Sequence, residues 1–242
     1  MKNSHKAMLG GLAAVFVIML ALAAGIRTVV TNVSSGDVGN DSTFEALDLD
    51  LSDDLVDFDR LRLRGAWDIE VEQGDGWDVQ VSVPDKTRPN LQVGVADGVL
   101  VLDIGRSAGL GWFGRMQDKN HARITLPRLS GIQIEGTANV ELGTIDGDSL
   151  EIEIAGAGNV TAAAGRYDNL DLTISGAGNA ELERLAVTNA HVNLSGATNV
   201  ELTLAGGDLT GQISGVGHVG YGGEVERESI VKSGFASIER RP

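Results

Sequence analysis

The chain has 242 residues, with 33 Gly, 4 Pro, no Cys and ten aromatic side chains, and its 34 acidic against 19 basic residues leave a formal charge of −15. That balance argues against nucleic acid as a partner, because phosphate binding needs clustered Lys and Arg. The absence of Cys removes disulfides, thiolate zinc sites, Fe–S clusters and attached haem, while a hydrophobic share of 42% suffices for a buried core.

Residues 7–26 form an uncharged, mostly apolar run, preceded by Lys2 and Lys6 and followed by Arg27. The run is long enough to span a bilayer as a helix, and Ala21-Leu22-Ala23 also offers a small-x-small cleavage site. Residues 1–27 are therefore expected to be a signal peptide or a transmembrane anchor. Either reading places the rest of the chain across the inner membrane, in the periplasm or at the cell surface, with a membrane contact through the N-terminal segment. Residues 28–57, rich in Ser, Asn, Gly and Asp, read as an acidic, self-repelling linker. Their acids lack the central Gly and terminal Glu of an EF-hand loop.

Residues 58–242 are expected to form one β domain, irregular over 58–130 and regular from 131. In the irregular part, apolar and polar residues alternate through Leu61-Arg62-Leu63-Arg64, Ile69-Glu70-Val71-Glu72 and Val79 to Val83. Further runs lie at Leu91 to Val95, Val99 to Ile104 and Ile124 to Leu126, and Asp97-Gly98 is a hairpin signal. Between them, Trp112 and Phe113 sit side by side among glycines, as a contact for a partner or a plug over an open end of the core.

From residue 131 the sequence repeats. Aligned on one Gly, the units are IQIEGTANVEL, IEIAGAGNVTA, LTISGAGNAEL, VNLSGATNVEL, QISGVGHVGY and VKSGFASIER. The anchors are Gly136, Gly156, Gly176, Gly196, Gly215 and Gly234, at intervals of 20, 20, 20, 19 and 19. Period-two alternation on both sides of a Gly corner means short strands with one face inward, and such a unit buries that face only against copies of itself. The expected fold is all-β: a right-handed parallel β-helix, or solenoid, of about 20-residue coils behind an N-terminal apolar helix. Three residues past each anchor stand Asn139, Asn159, Asn179, Asn199 and His218, one column in which amides can bond to one another and satisfy corner backbone groups. Gly65-Ala66-Trp67-Asp68 reads as a degenerate first copy of the corner.

The corners Gly156-Ala157-Gly158-Asn159 and Gly176-Ala177-Gly178-Asn179, set between alternating strands in an exported chain, resemble those of the bacterial family called putative auto-transporter adhesin, head GIN domain. The likeness runs over about residues 58–242. It implies a parallel β-helix in the cell envelope and no established activity. The family's label implies secretion through a C-terminal barrel of alternating strands, whereas the last unit here runs to Pro242 without one.

Gly215 to Gly220 satisfies a dinucleotide-binding glycine pattern, yet another strand pattern follows where that motif needs a helix. His121, His191 and His218 lack the paired spacing of zinc ligands, so no metal and no cofactor is expected. The regular units face outward with Glu, Thr, Asn and Gln in rows, whereas a glycosidase needs two carboxylates across a cleft. The expected function is a non-catalytic envelope module that binds a protein or glycan partner in the manner of an adhesin. The alternative is a β-helical lyase or hydrolase acting on envelope polysaccharide, whose sign would be a groove mixing acids with Arg62, Arg64, Arg88, Arg106 and Arg123.

Overall fold

The computed structural model describes residues 27–29, 47–51, 55–84, 87–105 and 120–241. The strands in chain order are β1 (Arg27–Val29), β2 (Leu47–Asp50), β3 (Arg60–Gln73), β4 (Asp78–Val83), β5 (Gln92–Ala96), β6 (Val99–Asp103), β7 (Asn120–Leu126) and β8 (Gly131–Arg240). A 3-10 turn at Arg88–Asn90 precedes β5. Residues 1–26, where the apolar helix is expected, lie outside the described residues, as do Trp112 and Phe113. Among the described residues no helix is long and apolar enough to cross a membrane.

Alternation in the sequence becomes alternation in burial. Along β3, Leu61, Leu63, Ile69 and Val71 are buried while Arg62, Arg64 and Glu70 are half-exposed and Glu72 faces solvent. β3 is the spine of the sheet. It runs parallel to β6 through residues 60–64, to β7 through 67–73, and to the first repeat of β8 through 60–71. The pairing sets Gly65 beside Gly136 and Asp68 beside Asn139, so the degenerate corner lies in register with the first regular one.

The remaining pairs run the other way. β4 is antiparallel to β7 and to β2, and β5 is antiparallel to β6 and to β1. The expected right-handed parallel β-helix over 58–242 is therefore corrected: the fold is all-β, but a curled half-barrel sheet of mixed direction. One physical cause sits at Asp97-Gly98, where φ of 51° and 74° give the doubly left-handed turn that reverses a chain in two residues. Alternation with period two is the same in a parallel and an antiparallel strand, so the pattern of 58–130 does not choose between them.

Within β8 each repeat lies against the next. The corner glycines have positive φ, 146° at Gly136 and 141° at Gly156, and a Cβ on Gly156 would collide with the Gly136 carbonyl oxygen. This close approach lines up the inward residues in columns: Leu63, Ile134, Ile154, Ile174, Leu194 and Ile213 before the corner, and Ile69, Val140, Val160, Ala180, Val200 and Val219 after it, all buried. Each large aliphatic member removed from water contributes about 1.5–3 kcal/mol. Tyr167 is the largest fully buried side chain, and its hydroxyl donates to the Leu129 carbonyl at 2.7 Å. It fits because Gly147 is bare, since a Cβ there would lie 2.6 Å from the ring.

Gly156→Ala combines a left-handed backbone with a clash against main chain, and should cost roughly 3 kcal/mol or more in denaturant titration. Gly76→Ala, with nothing within 4 Å of its Cβ, should stay within about 0.5 kcal/mol.

Burial, reinforced by Asp146, pushes the Tyr167 hydroxyl above its usual pKa. An unfolded tyrosine ionises near about 10, so below that pH the phenol is neutral in both states. Above it, unfolding releases a proton that the folded chain retains, and stability should fall as pH rises. Tyr167→Phe should remove that alkaline slope, read by melting temperature against pH, while lowering stability at neutral pH by about 1–3 kcal/mol because the Leu129 carbonyl loses its donor.

Candidate functional site

The corner column is a run of side-chain hydrogen bonds. Asn139 donates through Nδ2 to Asp68 Oδ1 at 3.1 Å, Asn179 to Asn159 Oδ1 at 2.9 Å, and Asn199 to Asn179 Oδ1 at 2.9 Å. Asn179 also donates to Glu181 Oε1 at 2.8 Å. At the far end of the column, His218 Nδ1 and Ser237 Oγ share a 2.9 Å bond. The donors of this column are thus directed largely along the sheet, at one another.

A second column went unnoticed in the sequence. Asn169 donates to the Asp148 carbonyl at 3.4 Å, Asn189 to Asn169 Oδ1 at 3.2 Å, and the Asp208 amide to Asn189 Oδ1 at 3.2 Å. Arg227 closes the series on Asp208 Oδ2 at 2.9 Å. The signal was present: these residues recur at the intervals of the anchor glycines.

Two residues further along each strand, Asp171, His191 and Thr210 form a parallel row, in which His191 Nδ1 and Thr210 Oγ1 are 3.1 Å apart. The two rows and Glu151 line an open groove of about 640 Å³. Its floor is Leu150, Leu170 and Ala190, whose side chains belong to the core. What it presents is a set of carboxylates, amides and hydroxyls spaced by the strand separation of about 4.8 Å.

A second groove, of about 500 Å³, lies on the other side of the corner and is acidic, with Glu70, Glu72, Glu141, Glu181 and Glu183 beside Arg184. Glu70 is already engaged by Arg123 Nη2 at 2.8 Å, with His121 Nε2 at 3.7 Å. Among the described residues no three His, Asp or Glu converge as a metal site.

Arg62 and Arg64 of the irregular part are committed to neighbours. Arg62 donates to Gln133 Oε1 at 2.6 Å, and Arg64 donates to Glu135 Oε2 at 2.8 Å with Asp103 at 3.9 Å. The hydrogen bond and charge of Glu135 hold the Arg64 guanidinium above its usual pKa. Arg106 lies outside the described residues.

Several known proteins resemble this chain. The family model described as putative auto-transporter adhesin, head GIN domain, matches residues 57–224. The crystal structure of a putative adhesin from Bacteroides fragilis superposes with a TM-score of 0.66 at 23% identity, covering 81% of this chain and 97% of that one. A putative lipid binding protein from Parabacteroides distasonis gives a TM-score of 0.48 at 20% identity, over 84% of this chain and 98% of that one. A putative adhesin from the same organism gives 0.47 at 18% identity, over 82% and 98%. No curated protein matches the sequence.

Breaking the corner column at its centre leaves the Asn159 and Asn199 amides each without a partner. Asn179→Leu should cost about 1–3 kcal/mol in thermal or denaturant unfolding. Glu141→Ala, at an exposed position, should change stability by less than about 0.5 kcal/mol.

Proposed function

The chain belongs to the putative auto-transporter adhesin, head GIN domain family, and from that membership we propose that it is a non-catalytic, adhesin-like module of the cell envelope that binds glycan in the groove between Asn169, Asn189 and Asp208 on one side and Asp171, His191 and Thr210 on the other. Export is supported by the apolar run at residues 7–26 with its basic flank, which also supplies a membrane attachment if it is not cleaved. The observation that carries the ligand class is the chemistry of the groove. Sugar hydroxyls act as paired donors and acceptors, and planar amides and carboxylates meet two neighbouring hydroxyls at once. The volume of about 640 Å³ lies in the range of small-molecule sites. Rows that repeat along the sheet suit a polymer presenting the same group at regular intervals, where weak contacts add by multivalency.

The enzyme reading draws less support. A polysaccharide lyase or hydrolase needs an acid and a base facing the same bond. Arg64 and Arg123 are already paired to Glu135 and Glu70.

The full-length chain in detergent, applied to a glycan array beside a reducing-sugar assay, tests both readings. Binding without sugar release is expected. His191→Ala and Asp171→Ala should each weaken binding about tenfold or more, the loss of one or two hydrogen bonds to ligand, with the melting temperature unchanged. Release of reducing sugar, or binding indifferent to both substitutions, would sink the proposal.

A further inference from the structure

Among the described residues, the last repeat presents an uncovered sheet edge. Its inner side is held: Gly234 stacks on Gly215, Ser237 bonds to His218, and the Arg241 amide donates to the Tyr221 carbonyl at 2.7 Å. No described strand pairs with its outer side. The exposed large apolar residues of the described chain all gather here, Val216 at 61%, Val231 at 69% and Phe235 at 86%. An edge of this kind is a template for another strand.

We propose that this edge joins two copies of the chain about a two-fold axis, residues 226–240 of each pairing antiparallel with the other about Ser233. The argument is charge complementarity. Centred on Ser233, the pairing sets Glu226 opposite Arg240, Arg227 opposite Glu239, and Val231 opposite Phe235, each twice by symmetry. Moving the centre to Lys232 puts that lysine against itself, and moving it to Gly234 puts Arg227 against Arg241. Glu226 and Glu239 have no ion-pair partner among the described residues, so both carboxylates remain available. Arg227 would share its guanidinium between Asp208 and Glu239, whereas Arg240, bonded to the Gly223 carbonyl, holds no carboxylate, so the Glu226–Arg240 pair carries the register. Lys232 also favours this partner over one more repeat laid in parallel. It occupies the inward column above Ile213, where a further parallel repeat would bury its charge, whereas the two-fold pairing sets it opposite the bare Gly234.

Sedimentation of the full-length chain in detergent across the micromolar range should show a monomer–dimer equilibrium. Phe235→Asp and Glu226→Arg should each weaken the dimer about tenfold or more, without lowering the melting temperature. Adding Arg240→Glu to Glu226→Arg should restore association, since the pair is re-formed with its signs exchanged. The native chain has no Cys, so Ser233→Cys introduces a single thiol on the axis. Facing Cα atoms of an antiparallel pair lie at disulfide distance, and mild oxidation should convert this variant to a covalent dimer while Thr173→Cys, on an interior repeat, forms no covalent dimer. A chain that is monomeric throughout, or a dimer unmoved by Glu226→Arg and Phe235→Asp, overturns the proposal, as does failure of the exchanged pair to restore it.

Discussion

The contact on which the repeat region depends is main chain against main chain at the corner. Gly136, Gly156, Gly176, Gly196, Gly215 and Gly234 each approach the carbonyl of the anchor before it too closely for a Cβ. Glycine answers two demands at once there, a positive φ and the absence of a side chain. Once one corner is seated on another, no freedom of register remains. A one-residue slip would turn Ile154, Ile174 and Leu194 out to solvent and bring Glu153 and Thr173 into the core. The amide columns follow from the same constraint, since side chains one repeat apart can bond only if the corners beneath them coincide.

That constraint also explains what the sequence discloses. Identical neighbours make a repeat visible, so the inward columns, the anchor glycines and the position of the Asn row could be read from spacing alone. The pairing of β3 with the first repeat spans 71 residues from Arg62 to Gln133, off the period of the repeats, and its trace in the sequence is the degenerate corner Gly65-Ala66-Trp67-Asp68. Direction is silent away from the Asp97-Gly98 turn. The run Val79 to Val83 alternates as cleanly as Ile152 to Ile154, yet it lies antiparallel to β7. The second amide column was missed for a related reason: Asn169, Asn189 and Asp208 recur at the right intervals, but Asp in place of Asn and Arg227 beyond it disguise a series that is plain once the bonds are seen.

Charge is distributed in the same two ways. In the irregular half, arginines and acids from different strands meet as pairs, Arg64 with Glu135 and Arg123 with Glu70, and such half-exposed pairs each add little to stability. They do fix which side chains face which. In the repeat region most outward positions carry an acid, an amide or a hydroxyl, and hydrogen bonds along the column replace ion pairs across it. A surface of this kind is well hydrated, and a polyol bound there, as proposed, exchanges one set of hydrogen bonds for another. The net gain per contact is therefore small, and affinity has to come from repetition along the sheet.

The two ends of the repeat region are treated differently. At the first repeat, β3 covers the edge along twelve residues and carries β6 and β7 on its other side, so the backbone groups are paired and the core is closed by Trp67, Leu63 and Ile69. At the last repeat the inward column breaks: Ile213 is followed by Lys232, and Val219 by a half-exposed Ile238. An inward lysine is a way to stop strands from adding without limit. Yet the same edge carries Phe235 and Val231 on its outer positions, where a chain selected only to stop would place charge. Both features are compatible with growth that halts after a single step, because a two-fold contact uses up the edge of each copy and leaves none for a third.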